Sequence, residues 1–487
     1  MHEKTYDAAV VGMGVAGLTA AVTMAEAGLS VALIDRATAA EAGGNTRYTE
    51  AFLRMKSVAE VSDDFEERFH ESMGYNVDPA IAGELLYSES RRSVVAKTLN
   101  IVDPAVISAW AAAAGPTLSW LQEQGVAFSE ASPPFITVST TRLAPVGGGA
   151  ALVEALQAKA VQHGMDILYE TQAVDLRLDP DDGTVTGLRC RKDGRSFYVS
   201  SPHVVLACGG FEGNAEMLSR YVTRANFARP IARGGYYNRG EGIEMALRAG
   251  AATSGDFNLF HAEPIDPRSG IAEPALFIFP YGILVNAAGQ RFTDEAPGRV
   301  DATYEAITRR VLEQPDGQAW IILDAGVEDV PNHKLGIRTD QPALVAQSLE
   351  ELAGLLQVPA GPLLATIEDF NAACPDPSGF SPLTLDGLRT SNLDIPKSNW
   401  SRRIAAAPFK AYPIACANVF TFGGLKVGEN GGVIDTGGSI IPGLYAAGEI
   451  VGTYFGTYVG STSVLKGAIL GRLSGRDILR TLRAGAG

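Results

Sequence analysis

The hydrophobic pattern is clearest in the first 35 residues of the chain. An apolar run over residues 8–11 leads into a glycine-rich turn, and the alanine-rich stretch Leu18–Ala27 has the composition of a buried helix. A second apolar run, Val31–Ile34, closes on an acidic residue, Asp35. The pattern therefore predicts a strand, a helix and a second strand, which is the order of a βαβ unit.

The turn between the first strand and the helix carries the chemistry of this unit. Gly12, Gly14 and Gly17 have G-x-G-x-x-G spacing, and Asp35 follows Gly17 by 18 residues. The first glycine permits a tight turn, the second lets the backbone approach a pyrophosphate, and the third lets the helix pack close to the strand. The pyrophosphate then faces the N–H groups of the helix N-terminus, and the carboxylate meets a ribose. The turn alone is compatible with NAD, NADP or FAD, and an ordinary turn without a ligand is the alternative.

Further apolar runs predict how the rest of the chain is organised. The other predicted strands lie within residues 165–178, 184–191, 196–200 and 204–210, and predicted helices follow the glycines at 147–149 and cover Thr303–Glu313, Leu344–Leu356 and Ser461–Leu482. Proline and loop signals become frequent between about residues 256 and 420, which indicates a second domain inserted into the first. We therefore expect one domain from residues 1–255 and 421–487, and a second from residues 256–420.

Composition and charge exclude several classes of protein. The chain has 487 residues, of which 46% are hydrophobic and 20% charged, as in a soluble globular protein with a large core. A net charge of −15 argues against nucleic acid or an anionic membrane as a partner. No signal peptide and no uninterrupted apolar run of membrane-spanning length is evident, so a cytoplasmic location without a membrane span is expected. A disulfide framework, an iron–sulfur cluster and a structural zinc are disfavoured by the scattered cysteines, Cys190, Cys208, Cys374 and Cys416.

Several segments resemble, in order along the chain, the motifs of one enzyme superfamily. Besides the glycine turn and Asp35, they are Gly43–Thr46, Leu206–Asn214, Gly240–Gly250, Gly282–Glu295 and Ala446–Glu449. Together they resemble the fumarate reductase/succinate dehydrogenase flavoprotein superfamily, within the FAD-binding 2 family. Each motif alone is modest, but the ordered set is specific.

The resemblance implies an α/β fold, namely a Rossmann-like FAD-binding domain of the glutathione-reductase type with an inserted α+β domain that caps the substrate. Residues 43–49, 141–149 and 420–427 are most similar to the FAD-dependent tricarballylate dehydrogenase branch. That branch binds FAD non-covalently, and no Ser-His-Thr segment that would carry a tethering histidine occurs near residues 43–49.

The resemblance also implies which residues contact FAD. The Ser461–Ser463 segment is expected to place helix N–H groups at the flavin N1–C2=O locus. The expected cofactor contacts are Gly12, Gly14, Val15, Ala16, Gly17, Asp35, Arg36, Gly43, Gly44, Asn45, Thr46, Ala173, Val174, Ala207, Cys208, Gly209, Asn214, Gly448, Glu449, Ser461, Ser463, Val464 and Leu465.

The family reaction passes a hydride between flavin N5 and a carbon next to a carboxylate or carbonyl, while a second group moves a proton. Arg299, four residues after Glu295, is at the position of the proton-transfer arginine of fumarate reductases. Arginine normally stays protonated, so this role requires local tuning, and a solvated loop arginine is the alternative. His261 is at the position of a substrate-carboxylate ligand, with a structural histidine as the alternative.

Two departures from the fumarate-reductase pattern affect the expected substrate. Phe420 replaces a substrate-binding histidine, and Tyr458 replaces a carboxylate-binding arginine. A phenol is a weaker anion ligand than a bidentate guanidinium, so fumarate and succinate are disfavoured and a tricarboxylate is short of cations. Tyr454 and Tyr458 are expected to face the substrate as in ketosteroid dehydrogenases, with apolar packing as the alternative. The expected substrate contacts are Arg142, Phe420, Thr421 and Gly424.

These expectations together predict an FAD-dependent oxidoreductase acting on CH–CH donors. Its named reaction is tricarballylate to cis-aconitate, with Arg299 moving the proton and with His261 and Arg142 holding the substrate. A desaturase of a ketone-bearing ring or larger acid, similar to ketosteroid dehydrogenases or to a precorrin-3B synthase flavoprotein, is one alternative. A non-catalytic electron-transfer subunit is the other. The expected electron acceptor is external: a quinone, an iron–sulfur protein or oxygen.

Overall fold

The computed structural model describes residues 4–74, 77–131, 142–222, 229–230 and 233–485. Its strands are β1 (Lys4–Thr5), β2 (Ala8–Val11), β3 (Val31–Ile34), β4 (Phe128–Ala131), β5 (Arg142–Pro145), β6 (Asp166–Leu168), β7 (Gln172–Leu178), β8 (Val185–Lys192), β9 (Arg195–Ser200), β10 (Val204–Leu206), β11 (Arg229–Pro230), β12 (Thr253–Ser254), β13 (Phe260–Ile265), β14 (Ile283–Val285), β15 (Gln318–Leu323), β16 (Leu344–Ala346), β17 (Phe409–Thr421), β18 (Gly424–Leu425), β19 (Gly432–Ile434) and β20 (Ile440–Ala446).

Helices lie between many of these strands in the chain. They are α1 (Val15–Glu26), α2 (Phe65–Met73), α3 (Pro79–Ala82), α4 (Val94–Lys97), α5 (Pro104–Glu123), α6 (Gly148–Gln162), α7 (Ala215–Tyr221), α8 (Glu241–Arg248), α9 (Val300–Leu312), α10 (Leu349–Leu356), α11 (Ala360–Ala373) and α12 (Ser463–Gly485).

A six-stranded sheet in the order β19-β20-β10-β2-β3-β6 organises the dinucleotide-binding part of the fold. The ladders from β20 through β10, β2 and β3 to β6 are all parallel, and only the β19–β20 pair is antiparallel. Both β2 and β3 are entirely buried, as expected for parallel strands with both faces covered. Strands alternating with helices around a mostly parallel sheet confirm the predicted α/β class.

Helix α1 lies between β2 and β3 in the chain and packs closely against α12. Gly12, with φ of +104°, makes the turn that starts the helix. The glycines allow a spacing that no other residue fits, because a Cβ on Gly17 would lie 1.9 Å from the Gly12 carbonyl oxygen. A Cβ on Gly471 of α12 would lie 2.1 Å from the carbonyl oxygen of Ala16 in α1. The N-terminus of α1 is thereby fixed at the carboxyl ends of the parallel strands.

A second sheet is built around the long strand β17. It has the order β11-β17-β15-β14, and β13 and β16 also pair with β17. All of its strands except β11 lie between residues 260 and 421, which is close to the segment predicted as the inserted domain. The division into two domains stays a prediction. A third sheet, in the order β1-β9-β8-β7, contains the predicted hairpin of β8 and β9.

Some predicted elements differ from the structure. The predicted helix Leu344–Leu356 is a strand, β16, followed by a shorter helix, α10. Ser348 starts that helix by accepting a hydrogen bond from the Glu351 N–H, and β16 instead pairs with β17. Long-range pairing therefore overrides the local helical pattern. In the part of the chain that the structure describes, no helix combines the length and apolar character needed to cross a bilayer.

The close contact of α1 and α12 predicts a strong effect of a single methyl group. We expect Gly471→Ala to lower the free energy of unfolding by about 1–3 kcal/mol through overpacking. The matched control is Gly354→Ala in α10, where an added Cβ meets no atom within 4 Å. The control should be neutral or stabilising by up to about 1 kcal/mol. Urea unfolding monitored by circular dichroism measures both, and equal stabilities of the two variants would contradict the packing argument.

Candidate active site

A cavity of about 560 Å³ runs from the glycine turn before α1 to the second sheet. At one end it is lined by the turn, by Asp35 and by the segment around Asn45. At the other end it is lined by His261 of β13 and Phe420 of β17. One continuous space thus joins the predicted dinucleotide seat to the predicted substrate residues.

The backbone leaves a space without side chains at the N-terminus of α1. Gly14 caps the helix without a side-chain hydrogen bond, and Thr46 accepts a hydrogen bond from the Val15 N–H at 3.1 Å. A Cβ placed on Gly44 would lie 3.9 Å from the Gly14 Cα. Side chains at these two glycines would therefore fill the space between them, which we call the cradle. The unpaired N–H groups of a helix start suit a pyrophosphate.

Asp35 ends β3 at the edge of this cradle. Its carboxylate accepts hydrogen bonds from the Met13 N–H and the Ala37 N–H, both at 2.8 Å. Burial raises the pKa of Asp35, while these two backbone donors act in the opposite direction. A buried carboxylate held at the end of the second strand is positioned to meet a ribose, so the residues present fit a dinucleotide.

Glu449 lines the cavity, and the fully buried carboxyl of Glu212 lies beside it, behind the cavity wall. Glu449 accepts hydrogen bonds from the Thr421 N–H at 2.9 Å and from the Asn238 side chain at 3.3 Å. Glu212 accepts from the side chains of Asn45 and Asn238, both at 2.7 Å, and its second oxygen receives no donor among the described residues. Burial, followed by the neighbouring Glu449, raises the pKa of Glu212 well above its usual range. Burial also raises the pKa of Glu449, so the close pair favours one retained proton over two negative charges.

Lys466, in the first turn of α12, is a buried cation on the cavity wall. Its ammonium donates to the Val451 carbonyl at 3.0 Å and to the Thr453 hydroxyl at 3.2 Å, and it lies 4.9 Å from the centre of the Tyr454 ring. Burial lowers the pKa of Lys466 to about 7, and Glu449 opposes that shift. The residue connects the loop before Tyr454 to the helix that follows it.

Aromatic side chains form the far end of the cavity, around Phe420. The Phe420 ring lies 5.0 Å from that of Tyr458, 5.1 Å from that of His261 and 5.6 Å from that of Tyr454. The rings of His261 and Tyr458 are 4.5 Å apart. We call His261, Tyr304, Phe420, Tyr454 and Tyr458 the aromatic cluster. All five line the cavity.

The Tyr458 phenol oxygen sits at the start of α12. It accepts hydrogen bonds from the backbone N–H groups of Thr462 at 3.1 Å and Ser463 at 3.2 Å, and it donates to the Ser463 hydroxyl at 3.1 Å. These are helix N-terminal donors that the sequence assigned to the flavin. The structure gives two of them to Tyr458, and Val464, which follows in the same turn, lines the cavity beside them.

His261 and Tyr304 form a neutral hydrogen-bonded pair. The His261 Nε2 and the Tyr304 hydroxyl are 2.6 Å apart, and the His261 Nδ1 is buried with no partner among the described residues. Burial, followed by the Arg309 charge, lowers the pKa of His261 to about 3. Burial raises the pKa of Tyr304 well above its usual value. His261 therefore offers a carboxylate no positive charge near neutral pH.

Glu305 of α9 holds the loop that presents Tyr458. Its carboxylate accepts from the Tyr458 N–H and the Thr457 hydroxyl, both at 2.9 Å, and from Arg309 at 2.8 Å. Arg309 also donates to the Phe260 carbonyl at the start of β13. One ion pair thus connects the Tyr458 loop, α9 and the strand that carries His261.

Two arginines at the far end of the cavity are paired with carboxylates. Arg142 contacts Asp301 at 2.9 Å. Arg338 contacts Glu50 and Glu273, both at 3.1 Å. Their positive charges are therefore largely neutralised by the protein itself.

A third carboxyl, Glu263 of β13, lines the same end of the cavity. Burial, followed by the nearby Glu273, raises its pKa to about 8. Burial also raises the pKa of Glu273 to about 7, and Arg338 opposes the shift. An additional carboxylate on a ligand would meet these acidic groups.

The structure places most predicted site residues on the cavity wall, although their contacts with a ligand stay predictions. The predicted residues that line it are Gly12, Gly14, Val15, Ala16, Asp35, Arg36, Gly44, Asn45, Thr46, Arg142, Ala173, Ala207, Cys208, Gly209, His261, Phe420, Gly448, Glu449, Tyr454, Tyr458, Ser461, Ser463 and Val464. Those not lining it are Gly17, Gly43, Val174, Asn214, Arg299, Thr421, Gly424 and Leu465.

Several of the residues away from the cavity wall have structural contacts instead. Asn214 caps α7 by accepting from the Glu216 and Met217 N–H groups. The backbone N–H and the hydroxyl of Thr421 donate hydrogen bonds to Glu449, and Thr421 does not line the cavity. Gly424 is a close-packing glycine, because a Cβ there would lie 2.2 Å from the Ile450 carbonyl oxygen.

Arg299 is the predicted catalytic residue whose position departs most from expectation. It caps the N-terminus of α9, is exposed, and does not line the cavity. Asp301 and Tyr304, from the following turn of the same helix, do line it. This position favours a role for Tyr304 near the substrate over one for Arg299.

Sequence reasoning missed several residues that line the cavity. Tyr304 lies on the predicted helix that begins at Thr303, and Lys466 lies one turn into the last helix, so both had a helical signal but no chemical motif. Asn238 precedes the Gly240–Gly250 motif and Glu241 lies within it, so that motif indicated their segment. Glu263, Glu273 and Arg338 come from separate segments, and no local pattern connects them.

The glycine turn, the acidic residue after the second strand and the cavity that joins them to an aromatic site define a dinucleotide-binding enzyme fold. The chain belongs to the FAD binding domain family, whose model matches residues 7–465. This places it in the fumarate reductase/succinate dehydrogenase flavoprotein superfamily and confirms the prediction of FAD as the cofactor.

Known proteins similar to this chain are named for different substrates. It is 27% identical to the NADH:acrylate oxidoreductase of Vibrio harveyi, across 98% of this chain and 50% of that protein. It is 25% identical to the vinyl phenol reductase of Lactiplantibacillus plantarum, across 97% of this chain and 96% of that protein. The chain thus spans half the length of the first relative and nearly all of the second.

A solved structure extends the similarity to the whole fold. The 3-ketosteroid-Δ4-(5α)-dehydrogenase of Rhodococcus jostii RHA1, in complex with 4-androstene-3,17-dione, superimposes with a TM-score of 0.69 at 25% identity. The match covers 98% of this chain and 97% of that one. It confirms the predicted architecture, and with the other relatives it confirms the predicted class, an FAD-dependent oxidoreductase. A particular closeness to tricarballylate dehydrogenase is not shown.

The retained proton of the two carboxyl groups predicts opposite outcomes for two amide substitutions. Glu212→Gln should keep the bound flavin and the stability, because an amide can replace a protonated carboxyl. Glu449→Gln should lower the free energy of unfolding by about 1–3 kcal/mol, because one of the buried groups that donate to Glu449 then lacks an acceptor. Denaturant unfolding and the ratio of flavin to protein absorbance measure both variants.

The pH dependence provides the control for this pair. A carboxyl whose pKa is raised in the folded state binds more protons when folded, so its contribution to stability falls as pH rises above about 4.3, the ordinary pKa of Glu. The wild type should therefore lose stability relative to Glu212→Gln as pH rises. A constant difference between the two proteins across pH 5–8 would show that Glu212 is already ionised.

Proposed function

We propose that this protein is a non-covalent FAD enzyme that adds or removes hydrogen across a carbon–carbon bond conjugated to the carbonyl of an uncharged substrate. FAD supplies the hydride acceptor or donor of that reaction. The similarity to a vinyl phenol reductase and to a ketosteroid dehydrogenase supports an uncharged substrate, and the ketosteroid dehydrogenase also supports a carbonyl. The observation that carries the proposal is the Tyr458 phenol, whose oxygen is held by two backbone N–H groups at the start of α12.

Tyr458 provides what a substrate carbonyl needs. A phenol whose oxygen accepts two N–H bonds becomes a stronger donor, because the charge that develops on it is already stabilised. Its hydroxyl proton, now directed at Ser463, can turn to a carbonyl oxygen in the cavity. Negative charge that develops on that oxygen during the reaction is then stabilised by a neutral donor rather than by a cation.

The tyrosine and histidine beside Tyr458 can move the second proton. Tyr304 keeps its proton at neutral pH, and neutral His261 can accept from it or donate to it. A proton on the carbon next to the hydride-transfer carbon can exchange with this pair. Arg299 remains the alternative for that step.

Tricarballylate is a less favoured substrate. Its three carboxylates would need cations, whereas Arg142 and Arg338 are paired with Asp301, Glu50 and Glu273. Burial raises the pKa of Glu263 at the same end to about 8, so this carboxyl supplies no positive charge for a further carboxylate. Electron transfer alone does not require a substrate cavity with a positioned phenol, so a role as an electron-transfer subunit is also less favoured. The external acceptor, whether a quinone, an iron–sulfur protein or oxygen, and the cytoplasmic location stay predictions.

Non-covalent binding predicts that the flavin leaves the protein on acid denaturation. Cys208 is the cysteine on the cavity wall among the described residues, and burial raises its pKa to about 12, so it is not a reactive thiolate. All of the yellow colour should appear in the acid supernatant, and Cys208→Ser should release flavin in the same way. Colour that stays in the protein pellet would refute non-covalent binding.

The substrate proposal predicts which compounds react with the flavin without air. Dithionite-reduced enzyme should be reoxidised by a neutral enone such as 2-cyclohexen-1-one faster than by fumarate, acrylate or cis-aconitate. The oxidised enzyme should be bleached by a cyclic ketone and not by tricarballylate. Stopped-flow absorbance of the flavin measures each rate, and faster reaction with the carboxylates would overturn the proposal.

Tyr458→Phe tests the residue that carries the proposal. Its flavin content should stay normal while the reoxidation rate falls about 10²–10³-fold, the usual loss of one oxyanion donor. Tyr198→Phe is the matched control, because Tyr198 is half exposed on β9 and does not line the cavity. Equal rates in the wild type and Tyr458→Phe would remove this tyrosine from the reaction.

A further inference from the structure

A second cavity, of about 300 Å³, lies where the segment before α5 meets the turn that follows β18. None of its lining residues lines the first cavity. It contains three side chains with unusual hydrogen bonding, Arg92, Trp110 and Ser254. Nothing in the proposed redox chemistry uses them.

Arg92 is a buried arginine without an ion pair. Its exposed fraction is 8%, and no carboxylate lies within ion-pair distance of it among the described residues. Its one hydrogen bond goes to the Leu85 carbonyl at a long 3.4 Å, and its Nε has no acceptor. A buried charge is costly unless it is paired, so this guanidinium needs an anion that the described chain does not supply.

Two further buried polar groups beside Arg92 also lack partners. The indole Nε1 of Trp110, in α5, and the hydroxyl of Ser254, in β12, have no hydrogen-bond partner in the part of the chain described. Both side chains are about 1% exposed. Indole nitrogen is only a donor, and a hydroxyl can donate. Unpaired buried groups are rare in folded proteins, so three around one cavity indicate a missing acceptor.

The charges around the cavity favour an anion. Lys97 and Lys426 line it and add two positive charges to that of Arg92. Two carboxylates also line it. Asp103 is occupied in capping α5, where it accepts from the Ala105 N–H, and Glu429 is exposed. The cavity therefore combines an apolar lining with three positive charges and two buried neutral donors.

We propose that this second cavity binds a small oxyanion, the phosphate or carboxylate group of a small molecule. Arg92 provides the buried charge, and Trp110 and Ser254 provide neutral donors to the remaining oxygens. Lys97 and Lys426 attract the anion to the opening and contribute less, because exposed charges are screened by salt. The volume accommodates an anion of a few heavy atoms, and the site is independent of the flavin reaction.

Thermal unfolding of the flavin-loaded protein tests this site. Potassium phosphate and potassium acetate are compared with potassium chloride at equal ionic strength, and calorimetric titration gives the Kd of the anion that stabilises. A ligand of the folded state raises Tm by mass action, so a saturable rise of a few degrees is expected with phosphate or acetate and not with chloride. The anion that gives the larger rise in Tm is the oxyanion that the site prefers.

Arg92→Gln is the decisive variant. It should fold at least as well as the wild type in chloride, because an unpaired buried charge is removed, and it should lose the response to the oxyanion. Arg220→Gln is the matched control, because Arg220 is exposed and pairs with Glu216 on α7. If Arg92→Gln unfolds early, Lys97→Gln should still weaken the anion affinity several-fold. An equal response in wild type and Arg92→Gln, or no response of the wild type beyond that to chloride, would refute the proposal.

Discussion

The close approach of backbone segments around α1 is the constraint on which the rest of the structure depends. Gly17 lets the helix lie against its own entry turn, and Gly471 lets α12 lie against α1. Both contacts are closer than any side chain permits. They hold the N-termini of two helices along one cavity, and side-chain oxygens of Thr46 and Tyr458 accept from the N–H groups at these ends. The pyrophosphate seat and the Tyr458 site are therefore two consequences of one packing arrangement.

A buried polar network connects these two helix ends. Glu449 binds the backbone of Thr421 at the end of β17, and Glu212 binds Asn45 beside the cradle. Because the close pair favours one retained proton, the network carries one negative charge rather than two. The second oxygen of Glu212 has no donor among the described residues, but the other hydrogen bonds of the network join the segments of Asn45, Asn238 and Thr421. The network therefore fixes the second sheet relative to the parallel sheet.

The sequence predicted the parts of the site that lie on one local segment. The glycine turn, Asp35 and the start of the last helix could be found because each needs a special backbone geometry that few residues allow. Tyr304, Lys466 and Glu263 could not be found in the same way, because their roles arise from contacts between segments far apart in the chain. Arg299 shows the opposite case: its spacing from Glu295 matches a family pattern, while the folded helix presents Tyr304 to the cavity instead.

The replacements at positions 420 and 458 change more than the charge of the site. An arginine at position 458 would bring a positive charge to the N-terminus of α12, where helix N–H groups already favour an anion. The phenol of Tyr458 instead occupies two of those N–H groups and covers the helix end. Phe420 then packs against that phenol and against neutral His261. The two residues that the resemblance aligns with carboxylate ligands thus build a neutral donor on an apolar wall, which is the combination that the proposed carbonyl substrate requires.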